Sequence, residues 1–171
     1  MRGWVVGVCG LVMACAGASA QMAERSGPGA DEHGYQSLQE QGKALLAQAA
    51  KSPNGIATAQ LERYAGHFDS LTARTKSGGG EVHRRWNDVF VVVDGEATVL
   101  TGGHVVDPRD TVADEQRGTR VEGGEAHVLR RGDVLHISTN TPHQTVVAPG
   151  KTFVYYVVKV EDPGWKAAAA K

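Results

Sequence analysis

From residue 77 onward the chain is cut by glycine into short pieces, and this constrains its fold more than any other feature. Strand-like runs occupy residues 81–86, 88–93, 97–101, 126–130, 133–137, 144–148 and 152–160. Turn signals stand between them: Asp94-Gly95, Gly102-Gly103, Gly123-Gly124, Arg131-Gly132-Asp133 and Pro149-Gly150. Gly78-Gly79-Gly80 opens the series. Short apolar runs at regular spacing with glycine turns predict an all-β sandwich or barrel. Residues 107–120 (DPRDTVADEQRGTR) interrupt the series. They are charged and poor in apolar anchors, which predicts a surface loop.

The 171 residues leave room for one domain. A hydrophobic content of 41% and a charged content of 22% exclude collagen-like, coiled-coil and wholly disordered chains. A formal net charge of −1 offers no broad basic surface for nucleic acid or anionic membrane.

Residues 1–20 have the layout of a secretory signal peptide: Arg2, an apolar run over 4–15, then Ala18-Ser19-Ala20 as the cleavage pattern. The expected location is therefore periplasmic or secreted, with no transmembrane span in the mature chain. The alternative is a lipoprotein anchored at Cys15, since Val12-Met13-Ala14-Cys15 loosely follows a lipoprotein box. Cys9 and Cys15 both lie in this segment. Cleavage after Ala20 removes both, and with them disulfides and thiolate ligands.

Residues 21–34 are polar and Gly/Pro-rich, and read as a flexible leader. Ser37-Leu38-Gln39-Glu40 has capping-box spacing, and Leu38, Leu45, Leu46 and Ala49 follow at helical intervals. Turn chemistry at 51–55 ends that helix, so helix and turn occupy 35–55. Residues 56–75 suit either a helix face or a strand. The barrel is expected over 56–161, with a tail at 162–171.

Two histidines stand out by context. In Glu81-Val82-His83 the outer residues share one face of a strand. Asp88 opens the most apolar run, and His143 follows Pro142 at the start of another.

Glu81-Val82-His83, Asp88 and Gly95 resemble the first cupin motif in spacing. Gly132 with residues 138–143 resembles the second. The resemblance spans about residues 61–161 and is closest to small single-domain bacterial cupins. It implies a cupin (double-stranded β-helix, or jelly-roll) barrel and places a strand from about Leu61. Glu81 stands where the motif has its first histidine, and Asp88 where it has a glutamate. Ser138, Asn140 and Val147 replace its proline, glycine and final asparagine, and Asn is able to adopt the left-handed turn conformation.

By the resemblance, Glu81, His83, Asp88 and His143 are the expected metal ligands, converging at one end of the barrel. Two imidazoles and two carboxylates suit a divalent Fe, Mn, Ni or Zn ion. The alternative is a metal-free pocket in which both histidines are hydrogen-bonded. Further pocket candidates are Arg74, Trp86, His136, Tyr155 and Lys159. Arg74 is a residue type that binds carboxylates bidentately, with a surface strand position as its alternative. Tyr155 and Lys159 share one face of the last strand. Core packing is the plain alternative for Trp86, and a satisfied interior histidine for His136.

The expected function is a small-molecule pocket around a metal, used by an oxygenase, isomerase or lyase. The alternative is a metal-free binding or sensing protein without turnover. The expected partners are a small-molecule ligand and a second copy of the chain.

Overall fold

The computed structural model describes residues 23–25, 29–112 and 114–166. The expected signal peptide lies outside the described residues. Among them, no helix is long and apolar enough to cross a membrane.

One helix precedes the strands: α1, Tyr35–Ala49. Its N-cap is Gly34, and no side chain caps it. The capping-box reading of Ser37 is thus corrected. The N-cap lies three residues earlier, and Ser37 Oγ accepts a hydrogen bond from Gln41 Nε2 one turn on. Leu38 and Leu45 are buried on its inner face. Each contributes on the order of 2 kcal/mol by leaving water. The helix lies close on the sheet at Gly42, where a Cβ would meet Val154 Cγ1 at 2.7 Å.

Residues 56–75 form an antiparallel hairpin, β1 (Ile56–Tyr64) and β2 (His67–Arg74), instead of one strand from Leu61. Gly66, at φ +80°, turns the chain between them. Next come β3 (Gly80–His83) and β4 (Trp86–Thr101). The 16 residues of β4 run straight through Asp94-Gly95, which had read as a turn. The pairing register skips Val93, so the strand bulges there and crosses from one sheet to the other.

The chain continues through β5 (His104–Val106), β6 (Arg109–Val112), β7 (Glu115–Gly118) and β8 (Arg120–Glu122). It ends with β9 (Glu125–Arg130), β10 (Val134–Ile137), β11 (His143–Val146) and β12 (Phe153–Glu161). The first half of β4 belongs to a layer ordered β1-β2-β12-β4-β10. Its second half belongs to a layer ordered β9-β4-β11-β3-β7-β6. The result is a curled, all-antiparallel half-barrel, with β5 and β8 paired beside it.

The expected surface loop at 107–120 is corrected to a β6–β7 hairpin that pairs with β3. Charge kept β6 exposed, as expected, but backbone hydrogen bonding recruited the segment as sheet edge. The leader also differs from expectation in its described part. Arg25 N–H donates to Arg63 O at 2.7 Å, and Tyr64 OH to Asp31 Oδ2 at 2.6 Å.

Two cores follow from the period-2 alternation of β2 and β12. Leu71, Ala73 and Val154 face α1 with Leu38, Leu45 and Val93. Tyr155 and Val157 face the barrel interior with Phe90, Val92, Val99 and Phe153. The pocket opens beyond that interior core.

Candidate metal centre and pocket

Strand register assembles the site. His143 on β11 is the direct cross-strand partner of Glu81 on β3. On the other side of β3, Glu81 pairs with Arg117 and His83 with Glu115, both on β7. Directly opposed residues on one face of a sheet bring their side chains together. Asp88 comes from the other layer, where β12 sets Lys159 beside it.

The polar ends converge on one point. His143 Nε2 lies 3.5 Å from Glu81 Oε1 and 3.7 Å from Asp88 Oδ2. His83 Nε2 lies 3.5 Å from Asp88 Oδ2 and 4.0 Å from Glu81 Oε2. One ligand atom each from Glu81, His83 and His143 fall within 4.8 Å of one another. Asp88 borders this group, but its Oδ1 accepts a hydrogen bond from Lys159 Nζ. Glu81, His83 and His143 make the compact donor set, and Asp88 Oδ2 faces both rings from its border.

The fit to a metal rests on His143. Its Nδ1 donates to the Thr141 carbonyl, 3.0 Å away, which aims Nε2 inward. That Nε2 is buried and has no hydrogen-bond partner. A buried polar atom left unpaired is costly. A cation among these donors would satisfy it, and two imidazoles with a carboxylate suit a first-row divalent ion.

Electrostatics divides the protons among the group. Burial alone would raise the Glu81 carboxyl. The nearby His143 ring, 3.5 Å away, with His83 and Arg117, overcomes this and holds it well below the usual carboxylate range. Burial alone would lower His143, but Glu81 and Asp88 outweigh it and raise the ring. Burial and then Lys159 lower His83 to about 4, against Asp88 and Glu81.

A pH dependence of the metal-free protein follows. A histidine whose folded pKa is depressed contributes less as its unfolded counterpart takes up a proton. Thermal unfolding of the metal-free chain is expected at progressively lower temperature from pH 6.5 down to about 4. His83→Gln should flatten that slope; an unchanged slope would show that another group carries it.

The cavity beside the donor group measures about 230 Å³. Arg74, Tyr155 and Lys159 line it, with Phe90 and Val157 as apolar wall. Arg74 is only 8% exposed, so its surface alternative is corrected. Its Nε donates to Tyr155 Oη at 3.0 Å. Burial opposes the guanidinium charge, but Tyr155 and Glu81 outweigh it and raise the pKa. Burial raises the Tyr155 phenol, partly offset by Arg74.

Trp86 does not line this cavity: it is half-buried, edge-on to Phe68 with centroids 5.1 Å apart, and lines a neighbouring hollow with Glu115 and Lys159. His136 is corrected: the β10 pleat turns it outward into solvent, away from the pocket.

Sequence reasoning missed Glu115 and Arg117. Arg117 Nη1 lies 3.1 Å from Glu81 Oε2, and Glu115 Oε1 lies 3.8 Å from His83 Nδ1. Their two-residue spacing puts them on one strand face, but nothing local announced a strand there. Ser70 and Thr72 on β2 were missed likewise; they line the cavity as alternate residues before Arg74.

No family model and no curated protein matches the chain. Solved structures do match. A DMSP lyase, DddQ from Ruegeria pomeroyi DSS-3, is 15% identical over 65% of this chain and 49% of its own, with a TM-score of 0.46. An oxalate oxidase is 15% identical over 64% of this chain and 53% of its own, with a TM-score of 0.48. A Cupin 2 conserved barrel domain protein from Salinispora arenicola CNS-205 is 17% identical over 64% and 78%, with a TM-score of 0.45. The chain spans about half the length of the first two.

The fold reading stands on this chain's own features. The stretches resembling the two cupin motifs, 81–95 and 132–143, form strands in both layers and bring Glu81, His83 and His143 together. Asn140, at the motif's glycine position, adopts φ +61° as its residue type allows. In fold this is a cupin-like half-barrel preceded by one helix.

Proposed function

We propose that the chain is an exported small-molecule protein whose pocket is built around a divalent first-row metal held by Glu81, His83 and His143. The observation that carries this reading is the buried, unpartnered His143 Nε2 aimed at Glu81 and His83. A bound metal would supply Lewis acidity and sites for substrate oxygens. The residues around it have separate tasks. Thr141 orients His143, and Arg117 engages Glu81 Oε2 while Oε1 faces the donor group. Lys159 holds Asp88 as a charged pair at the border, where the two can exchange a proton with a bound molecule.

A donor set of two histidines and one carboxylate with open positions suits oxygenase, isomerase or lyase chemistry on a small organic molecule. The cupin resemblance and the layout of residues 1–20 support the fold-level and export parts of the reading. The deciding experiment is metal analysis of the full chain purified without added metal. About one iron, manganese, nickel or zinc per chain, removed by chelator with a fall in unfolding temperature, is the expected result. A chain free of metal that regains none, and gains no thermal stability, on adding each ion would favour the binding or sensing reading.

A further inference from the structure

The three cations lining the cavity are not alike. Lys159 is paired with Asp88. Arg117 is paired with Glu81 and Glu115. Arg74 is the most deeply buried of the three. Among the described residues it has no carboxylate within ion-pairing distance; its one hydrogen bond is from Nε to the Tyr155 hydroxyl.

Burying a guanidinium without a counter-charge costs several kcal/mol, so buried arginines are ordinarily paired. Glu81 supports the charge from a distance, but no anion of the described residues contacts the guanidinium, which leaves room for one from outside the chain. The Tyr155 hydroxyl anchors the guanidinium through Nε, and its end packs beside Gly78, where a Cβ would meet Nη1 at 2.7 Å. With Nε committed to Tyr155, Nη1 and Nη2 remain as a two-pronged donor. Two parallel N–H groups match the oxygens of one carboxylate. Phe90 and Val157 supply an apolar wall for the rest of such a molecule, and Glu81, His83 and Asp88 line the same cavity. At about 230 Å³ the space falls below the roughly 300–1,000 Å³ of pockets for drug-sized ligands.

We infer that the pocket takes a small organic carboxylate, whose carboxylate group docks end-on against the Arg74 guanidinium while its apolar body lies along Phe90 and Val157. This inference names the ligand class for the pocket proposed above and rests on that reading. Arg74 is then a specificity-determining residue, distinct from the donor group.

The test is calorimetric titration of the full chain with benzoate and with neutral benzamide. Wild type is expected to bind benzoate about tenfold or more tightly than benzamide. Arg74→Gln should lose that preference while keeping the wild-type metal content and unfolding cooperativity. Arg74→Lys, which keeps the charge but lacks the fork, should retain only part of it. Equal binding of the two probes, no binding of either, or an Arg74→Gln variant within about twofold of wild type for benzoate would overturn the inference. Repeating the titration with His83→Ala/His143→Ala separates the two readings. Benzoate preference kept in that variant, with metal content unchanged from wild type, would reject the metal centre and retain the carboxylate site. Preference lost in Arg74→Gln alone, with metal removed only by the histidine changes, supports both.

Discussion

Replacing His83 and His143 together by alanine is expected to abolish first-row metal binding and the thermal stabilisation that metal confers. Both rings point Nε2 at the same space, and with Glu81 they make up the compact donor set. A carboxylate alone holds such ions too weakly to survive purification, so metal content measured by mass spectrometry should fall from about one per chain to background. An ion that binds only the folded state stabilises it by about 2.7 kcal/mol at a hundredfold excess over Kd. Wild type should therefore unfold at a higher temperature with metal than without, and the double variant should show no difference. Asp88→Asn should keep most of the metal, because Asp88 Oδ1 is already engaged by Lys159. Unchanged metal content in the double histidine variant would place the ion elsewhere.

Gly95→Ala is expected to destabilise the whole domain by on the order of 4 kcal/mol. Gly95 has φ +79°, which costs alanine about 1 kcal/mol. The larger effect is steric: a Cβ would stand 2.0 Å from the Thr152 carbonyl oxygen, on backbone that cannot swing aside. That same oxygen accepts the Glu96 N–H at 3.0 Å, so moving it also breaks a hydrogen bond worth about 1 kcal/mol. Phe153 pairs with Gly95 and is fully buried in the interior core, so the displacement would reach the residues around the cavity. Against a typical total of about 5–15 kcal/mol, the loss is large. Chemical denaturation should show the midpoint falling with an unchanged slope. A variant as stable as wild type would mean that β4 bends without this glycine.

The reading of residues 81–95 and 132–143 shows how far local pattern reaches. Period-2 alternation and glycine spacing are properties of consecutive residues, so most strands and turns were legible directly, while the cupin-like class came from the resemblance of these two stretches to the family's motifs. The i, i+2 rule put Glu81 and His83 on one face, and the motif spacing singled out His143. The same rule failed at Asp94-Gly95. A glycine at positive φ serves a turn and a bulge equally, and only the pairing of β4 with β12 distinguishes the two.

Other features depend on pairings between residues far apart in the chain. Glu115 and Arg117 reached the site because β7 aligned on β3, and the charged composition of 107–120 carries no trace of that register. Lys159 engages Asp88 Oδ1 because β12 aligned on β4, leaving Oδ2 toward the two histidines. Arg74 lines the cavity and His136 turns outward for the same reason. Alternation says that a strand has two faces, but not which one the sheet turns inward. Chain-local chemistry set the elements and the donor types. Sheet register, which sums hydrogen bonds and burial over the whole barrel, set which donors meet.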